Sequence, residues 1–147
     1  MYFNNVKPRM SLGEALTSVF KNYANFTGRA RRSEYWWFMF FYGAIDLIFN
    51  LASLGFIAKI MSGEMLNNDP TYLTFLMMSV IVGLGFFLPY LSVTVRRLHD
   101  IGKSGWNILL PIIPLVGIFL IILLIVWMCR DSDVEANKYG ESPKYSN

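Results

Sequence analysis

Cysteine, histidine and charge are the scarce ingredients of this 147-residue chain. Cys129 stands alone, which excludes an intramolecular disulfide and any paired-cysteine metal or redox motif. His99 is equally single, so one protomer cannot build a multi-histidine centre. No metal, cofactor or nucleic-acid partner is expected. Charged residues make up only 16% of the chain, where ordinary globular proteins carry roughly 25%. So few charges cannot cover the surface of a soluble domain. Internal repeats and low-complexity tracts are also missing. Residues 1–28 hold no unbroken apolar stretch of the kind a secretory signal needs, because Lys7, Arg9, Glu14 and Lys21 interrupt it.

What is abundant is apolar side chain, at 54%, gathered into long runs. Three such runs cover about 35–57, 72–95 and 108–128. About 20 helical residues cross a hydrocarbon core of about 30 Å, so each run is long enough to span a bilayer. The expected fold is an all-α membrane protein with three transmembrane helices preceded by an N-terminal amphipathic interfacial helix. Residues 1–34 form a cytoplasmic N-terminal segment, 35–128 the transmembrane domain, and 129–147 a polar tail expected to be poorly ordered.

The amphipathic helix is expected over 11–26. Leu12, Ala15, Leu16, Val19, Phe20, Tyr23 and Phe26 recur at helical spacing, while Glu14, Ser18, Lys21, Asn22 and Asn25 occupy the other face. Ser11 and Glu14 have the spacing of a capping box. This helix is too polar to span, so its apolar face must meet the headgroup boundary or the other helices. Ser33 is a suitable N-cap for the next helix, with Glu34 favourable at its positive end. Trp36 and Trp37 at the mouth of the first run, and Trp106 and Trp127 flanking the third, suit interface anchors.

Residues 58–71 read as a polar connection with Gly63, Asn67, Asn68, Asp69 and Pro70. RRLHDIGKSGWN reads as a short loop turning at Gly102 and Gly105. Basic residues set orientation. Lys7, Arg9, Lys21, Arg29, Arg31 and Arg32 precede the first run; Arg96, Arg97 and Lys103 follow the second; only Lys59 lies between. The N-terminus and second loop are therefore expected in the cytoplasm, and three crossings put the tail outside. The alternative breaks the third run at Pro111 and Pro114 into a re-entrant hairpin, returning the tail to the cytoplasm.

Two strings are distinctive: FTGRARRSEYWWF at residues 26–38, and VRRLHDIGKSGWNILLPIIPLVG at residues 95–117. In this order around apolar segments they resemble the YhaH-like family of small bacterial inner-membrane proteins, a domain of unknown function. The resemblance runs from about Leu16 to Trp127. It implies a bacterial plasma-membrane location and supplies no activity. Asn137, Lys138, Tyr139, Gly140 and Pro143 echo the family's ending, without its upstream glycines and with Glu141-Ser142 in place of its usual spacing and acid.

Arg29, Arg31 and Arg32, with Arg96, Arg97 and Lys103 from the facing loop, support two readings. They set topology, or they form a binding site for anionic lipid or an anionic partner, each residue contributing about 1 kcal/mol near an anionic surface. His99, Asp100 and Ser104 could suggest a base, its orienting acid and a nucleophile. Against that, neighbouring residues rarely point the same way, and Asp100 or His99 can instead bond the backbone or pair with Arg96 or Arg97. No catalytic residue is assigned.

Asp46 falls mid-way along the first run, where an acid costs about 2.5–3.5 kcal/mol to insert. Tyr42, Asn50 and Ser53 extend it into a polar stripe that must face the bundle or an oligomer interface. An interhelical hydrogen-bond network and an ion or proton path are the two readings. Ser79 and Gly83 permit close helix approach. Cys129 has no assigned role. The expected function is a non-enzymatic module interacting with membrane lipid or protein. An oligomeric transport or channel component, or an enzyme of lipid or envelope precursors, are the alternatives.

Overall fold

The computed structural model describes residues 5–63 and 70–146, and Asn67, Asn68 and Asp69 of the expected connection lie outside them. Strand β1 (Asn5–Val6) precedes α1 (Leu12–Lys21), α2 (Arg32–Met61) and α3 (Pro70–Asp100). A 3-10 helix (Gly105–Ile112), α4 (Gly117–Cys129) and β2 (Tyr145–Ser146) follow. The described residues form two compact units, one of those up to 38 with those from 89 on, the other of those between 39 and 88.

The 39–88 unit is an antiparallel hairpin made by the later part of α2 and the earlier part of α3. Aromatic rings join its two arms: Phe49 meets Phe75, Phe56 meets Tyr72, and Phe86 lies against Phe41 and Tyr42. The opposite faces expose Ile48, Leu51 and Leu54 of α2 and Met77, Ile81 and Leu84 of α3. Such surface is unfavourable in water and is satisfied by lipid. At 30 and 31 residues, α2 and α3 are the two helices long and apolar enough to cross a membrane among the described residues.

The other unit holds the buried core: Ala15 and Val19 of α1, Phe38 of α2, Val93 and Leu98 of α3, Ile101 and Met128. The capping box is present, with Ser11 accepting from the Glu14 amide and Glu14 from the Ser11 amide. Helix α1 stops at Lys21, short of the expected Phe26, because its end is consumed by tertiary contacts. The Asn22 side chain donates to the Ser18 carbonyl, and Ser92 of α3 donates to the carbonyls of Asn22 and Asn25.

Helix α3 outlasts its expected end at Val95 and absorbs the first five residues of the expected loop, running through Asp100. Gly102, at φ +70°, closes it: the Gly102 amide bonds the His99 carbonyl and the Lys103 amide the Leu98 carbonyl. That pair of bonds is a Schellman closure, which a glycine in the left-handed region favours. The turn is thus confined to Ile101–Ser104.

The third apolar run is not one helix. It divides into the 3-10 helix and the 13-residue α4, with Pro114 and a left-handed Leu115 (φ 71°) between them. Pro111 and Pro114 lack amide donors, so a continuous α-helical ladder fails there. Hydropathy counts apolar residues and is blind to missing donors. At 1.5 Å per residue, α4 is about 20 Å long, short of a hydrocarbon core. The two pieces pack together so closely that a Cβ on Gly117 would overlap the Pro111 carbonyl oxygen. This hairpin begins and ends beside the end of α3: Gly105 abuts Val95, and the Met128 carbonyl accepts from Arg97.

The tail is ordered against the same unit, contrary to expectation. Ser132 and Ser142 are buried, and β2 pairs antiparallel with β1, Val6 opposite Tyr145. The N-terminal segment and the tail therefore share one end of this unit, which contradicts their expected separation across a bilayer.

Candidate functional site: a buried arginine cluster and its cavity

The arginines expected to face headgroups are mostly turned inward. Arg29 lies just before α2, with its side chain 1% exposed. Its Nε donates to Asp100 Oδ1 at 3.0 Å, Nη1 to the carbonyls of Glu135 and Gly140, and Nη2 to those of Asp100 and Asp133. All five donors are satisfied. Arg97 donates to the other oxygen of the Asp100 carboxylate at 2.5 Å and to the carbonyls of Met128 and Arg130. One acid thus lies between two guanidinium groups. The surplus positive charge meets carbonyls at the ends of α3 and α4, the negative poles of those helices.

Three further cations are also engaged. Arg31 donates to the carbonyls of Lys7 and Pro8, fastening the N-terminal segment. Arg32 is exposed and reaches the Cys129 carbonyl. Lys103 places its ammonium 5.1 Å from the Trp127 ring centre. Arg96 differs from all of these. It is 4% exposed and gives Nη1 to Glu34 Oε1 at 3.0 Å, an oxygen that also accepts from Ser18. Its Nε and Nη2 have no partner among the described residues. The Arg96 side chain is among those lining a cavity of about 530 Å³, with residues of the N-terminal segment, α1, the chain before α2, the start of α2 and the tail.

His99, Asp100 and Ser104 do not converge as an acid–base set. His99 Nδ1 faces the Gly28 carbonyl at 3.2 Å, and the ring stacks on Tyr139 with centroids 3.7 Å apart. Burial lowers the His99 pKa against the raising effect of the Gly28 carbonyl, with nearby Lys138 lowering it further. Asp100 is enclosed by its arginines, and the Ser104 hydroxyl caps the 3-10 helix. Among the described residues no group of three His, Cys, Asp or Glu could hold a metal.

The indoles of Trp36 and Trp37 donate to the carbonyls of Met128 and Met10, while Trp106 stands 79% exposed. In the hairpin unit, the expected stripe splits. Tyr42 packs on Phe86, Ser53 bonds the Phe49 carbonyl, and Asp46 and Asn50 pair with each other on an exposed face. Ser79 bonds its own helix, and nothing lies within 4 Å of a Cβ placed on Gly83, so neither marks a close approach. Gly105 and Gly117 do.

Glu34, Ser18 and Asn22, which in the sequence suit only a helix start and a polar face, are decisive partners here, together with the tail carbonyls. The tail residues that echo the family ending are structural. Asn137 donates to the His99 carbonyl, Tyr139 covers the His99 ring, and Gly140 adopts φ +122° where its carbonyl meets Arg29.

A family model described as "Protein of unknown function (DUF805)" matches residues 23–141, which include the whole arginine cluster and its tail closure. The chain belongs to this family. Its relatives include "Inner membrane protein YhaI" of Escherichia coli strain K12, 35% identical over 130 residues, covering 88% of this chain and 95% of the relative. "Inner membrane protein YhaH" of the same strain is 36% identical over 126 residues, covering 86% and 93%. No solved structure matches the chain. Membership of the DUF805 family supports a membrane protein and indicates no biochemical activity.

Proposed function

We propose that this is a multi-pass protein of the bacterial inner membrane, with its N-terminus in the cytoplasm, acting as a non-enzymatic interaction module for anionic lipid or a partner protein. In this reading the 39–88 hairpin of α2 and α3 crosses the bilayer, the capped end of α3 with His99 lies outside it, and the 3-10 helix with α4 re-enters from the cytoplasmic side. The observation that carries it is the arginine-stapled cap. One buried cluster joins α1, the start of α2, the ends of α3 and α4, and the tail. The inner-membrane names of the relatives and the basic residues at this end support the placement.

The amphipathic α1 lies in the interface. Ala15 and Val19 face the cap, while Leu12 and Phe20, with Phe26 beyond the helix, remain exposed for headgroup contact, beside exposed Lys21, Arg32, Trp36 and Trp37. In this reading anionic lipid meets this rim and the Arg96 cavity, rather than all six cations. Native mass spectrometry of protein purified in mild detergent tests the reading. Retained anionic lipid or a stoichiometric protein partner is expected; a bare chain under gentle activation would contradict it.

A second reading, a homo-oligomer, is favoured by the exposed Asp46–Asn50 pair. An acid at mid-membrane depth is costly against lipid, and a second copy's stripe would shield it. Asp46→Leu should abolish crosslinking between copies in membranes; unchanged crosslinking would remove this reading.

A further inference from the structure

We infer that the cavity beside Arg96 is a binding site for a phosphate group, which names the anion of the reading above and rests on it only for the lipid source. The guanidinium is buried, yet two of its three nitrogens have no hydrogen-bond partner among the described residues. Burying donors without partners is unfavourable, and native proteins seldom leave them so unless water or a ligand completes the site. The free atoms are Nε and Nη2, the edge of the guanidinium that offers two parallel N–H bonds. That fork matches the oxygens of a phosphate.

Glu34 fixes the fork from behind by holding Nη1, so the side chain is pre-oriented before a ligand arrives. Ser18 in turn anchors Glu34. Four cations line the cavity, Lys7, Arg29, Arg31 and Arg96, against the single acid Glu34, which is already paired. Asn22 and Asn25 add amide groups to the wall. A volume of about 530 Å³ leaves room for an organic group beyond the phosphate. The same chemistry is offered by the headgroup of an anionic phospholipid and by a soluble phosphate ester.

The test uses the full chain in lipid nanodiscs. With phosphatidylcholine discs, inorganic phosphate and glycerol phosphate should raise the melting temperature saturably. Lys7→Glu should weaken that binding about tenfold or more. Lys7 is exposed, and only its backbone fastens the segment, so this variant keeps the fold. Arg96→Gln should abolish binding; if it fails to fold, Lys7→Glu alone decides. In phosphatidylglycerol discs the stabilisation should already be present and inorganic phosphate should displace it if the source is lipid. If disc composition leaves phosphate binding unchanged, the source is soluble. Either result supports the site. No saturable response to phosphate and none to phosphatidylglycerol, or equal binding by Lys7→Glu, overturns it. Resistance to carbonate extraction, measured on the same preparations, reports separately on the membrane reading.

Discussion

Arg29 and Asp100, 71 residues apart in sequence, meet at 3.0 Å with side chains 1% and 0% exposed. This pair joins the approach to α2 to the end of α3, and through its remaining donors Arg29 also holds the tail. Removing Arg29 would leave Asp100 paired with Arg97, but would strip a donor from the carbonyls of Asp100, Asp133, Glu135 and Gly140.

Losing these buried hydrogen bonds, Arg29→Gln should destabilise the cap by about 3–5 kcal/mol, whereas Arg32→Gln, at an exposed position, should change stability by less than about 1 kcal/mol. Thermal unfolding of both variants in the same detergent checks the contrast. Equal melting temperatures would mean the buried pair contributes nothing particular.

Glycine is required where backbones crowd. A Cβ on Gly105 would lie 2.7 Å from Val95 Cγ1, and one on Gly117 would overlap the Pro111 carbonyl. Gly105→Ala should cost about 1–3 kcal/mol, and Gly117→Ala at least as much, because a backbone atom yields less readily than a valine methyl. Gly83→Ala meets open space and is expected to be neutral. Melting temperatures of the three variants rank the predictions.

Stability should also depend on pH through His99, whose folded pKa burial depresses below the ordinary 6.5. As pH falls through about 6.5, the unfolded chain takes up a proton that the folded ring resists. His99 thus contributes full stability above 6.5 and loses it as pH falls toward the lower folded value. Denaturation between pH 7.5 and about 5 should show a decline that is shallower in His99→Gln. Parallel slopes for the two proteins would assign the decline to other groups.

Much of the architecture was legible in local pattern. The Ser11–Glu14 box, the apolar stretches of α2 and α3, and a turn at Gly102 all rest on neighbours within a few residues. The cluster was not, because its pairings are long-range: Arg96 finds Glu34 62 residues away, and Arg29 finds Glu135 106 residues away. Arginines beside an apolar run look the same in sequence whether they face headgroups or a buried acid. The third run misled for another reason. Its residues are apolar enough to span, yet Pro111 and Pro114 withhold the donors that a single helix needs. The tail looked too polar to order, since what holds it is largely carbonyl oxygens, which every residue carries, with a few side chains such as Asn137 and Tyr139 whose partners lie far away in sequence.

The placement of the tail carries the most weight, since re-entry of the third segment and the cytoplasmic cap both depend on it. The direct measurement labels single cysteines with a membrane-impermeant maleimide in spheroplasts, in a Cys129→Ser background. Glu141→Cys reports the tail and Ser62→Cys the connection after α2, both exposed positions. Position 62 should label from outside, and position 141 only after the membrane is permeabilised. Labelling of position 141 in intact spheroplasts would put the tail across the membrane from the N-terminal segment and contradict the cap.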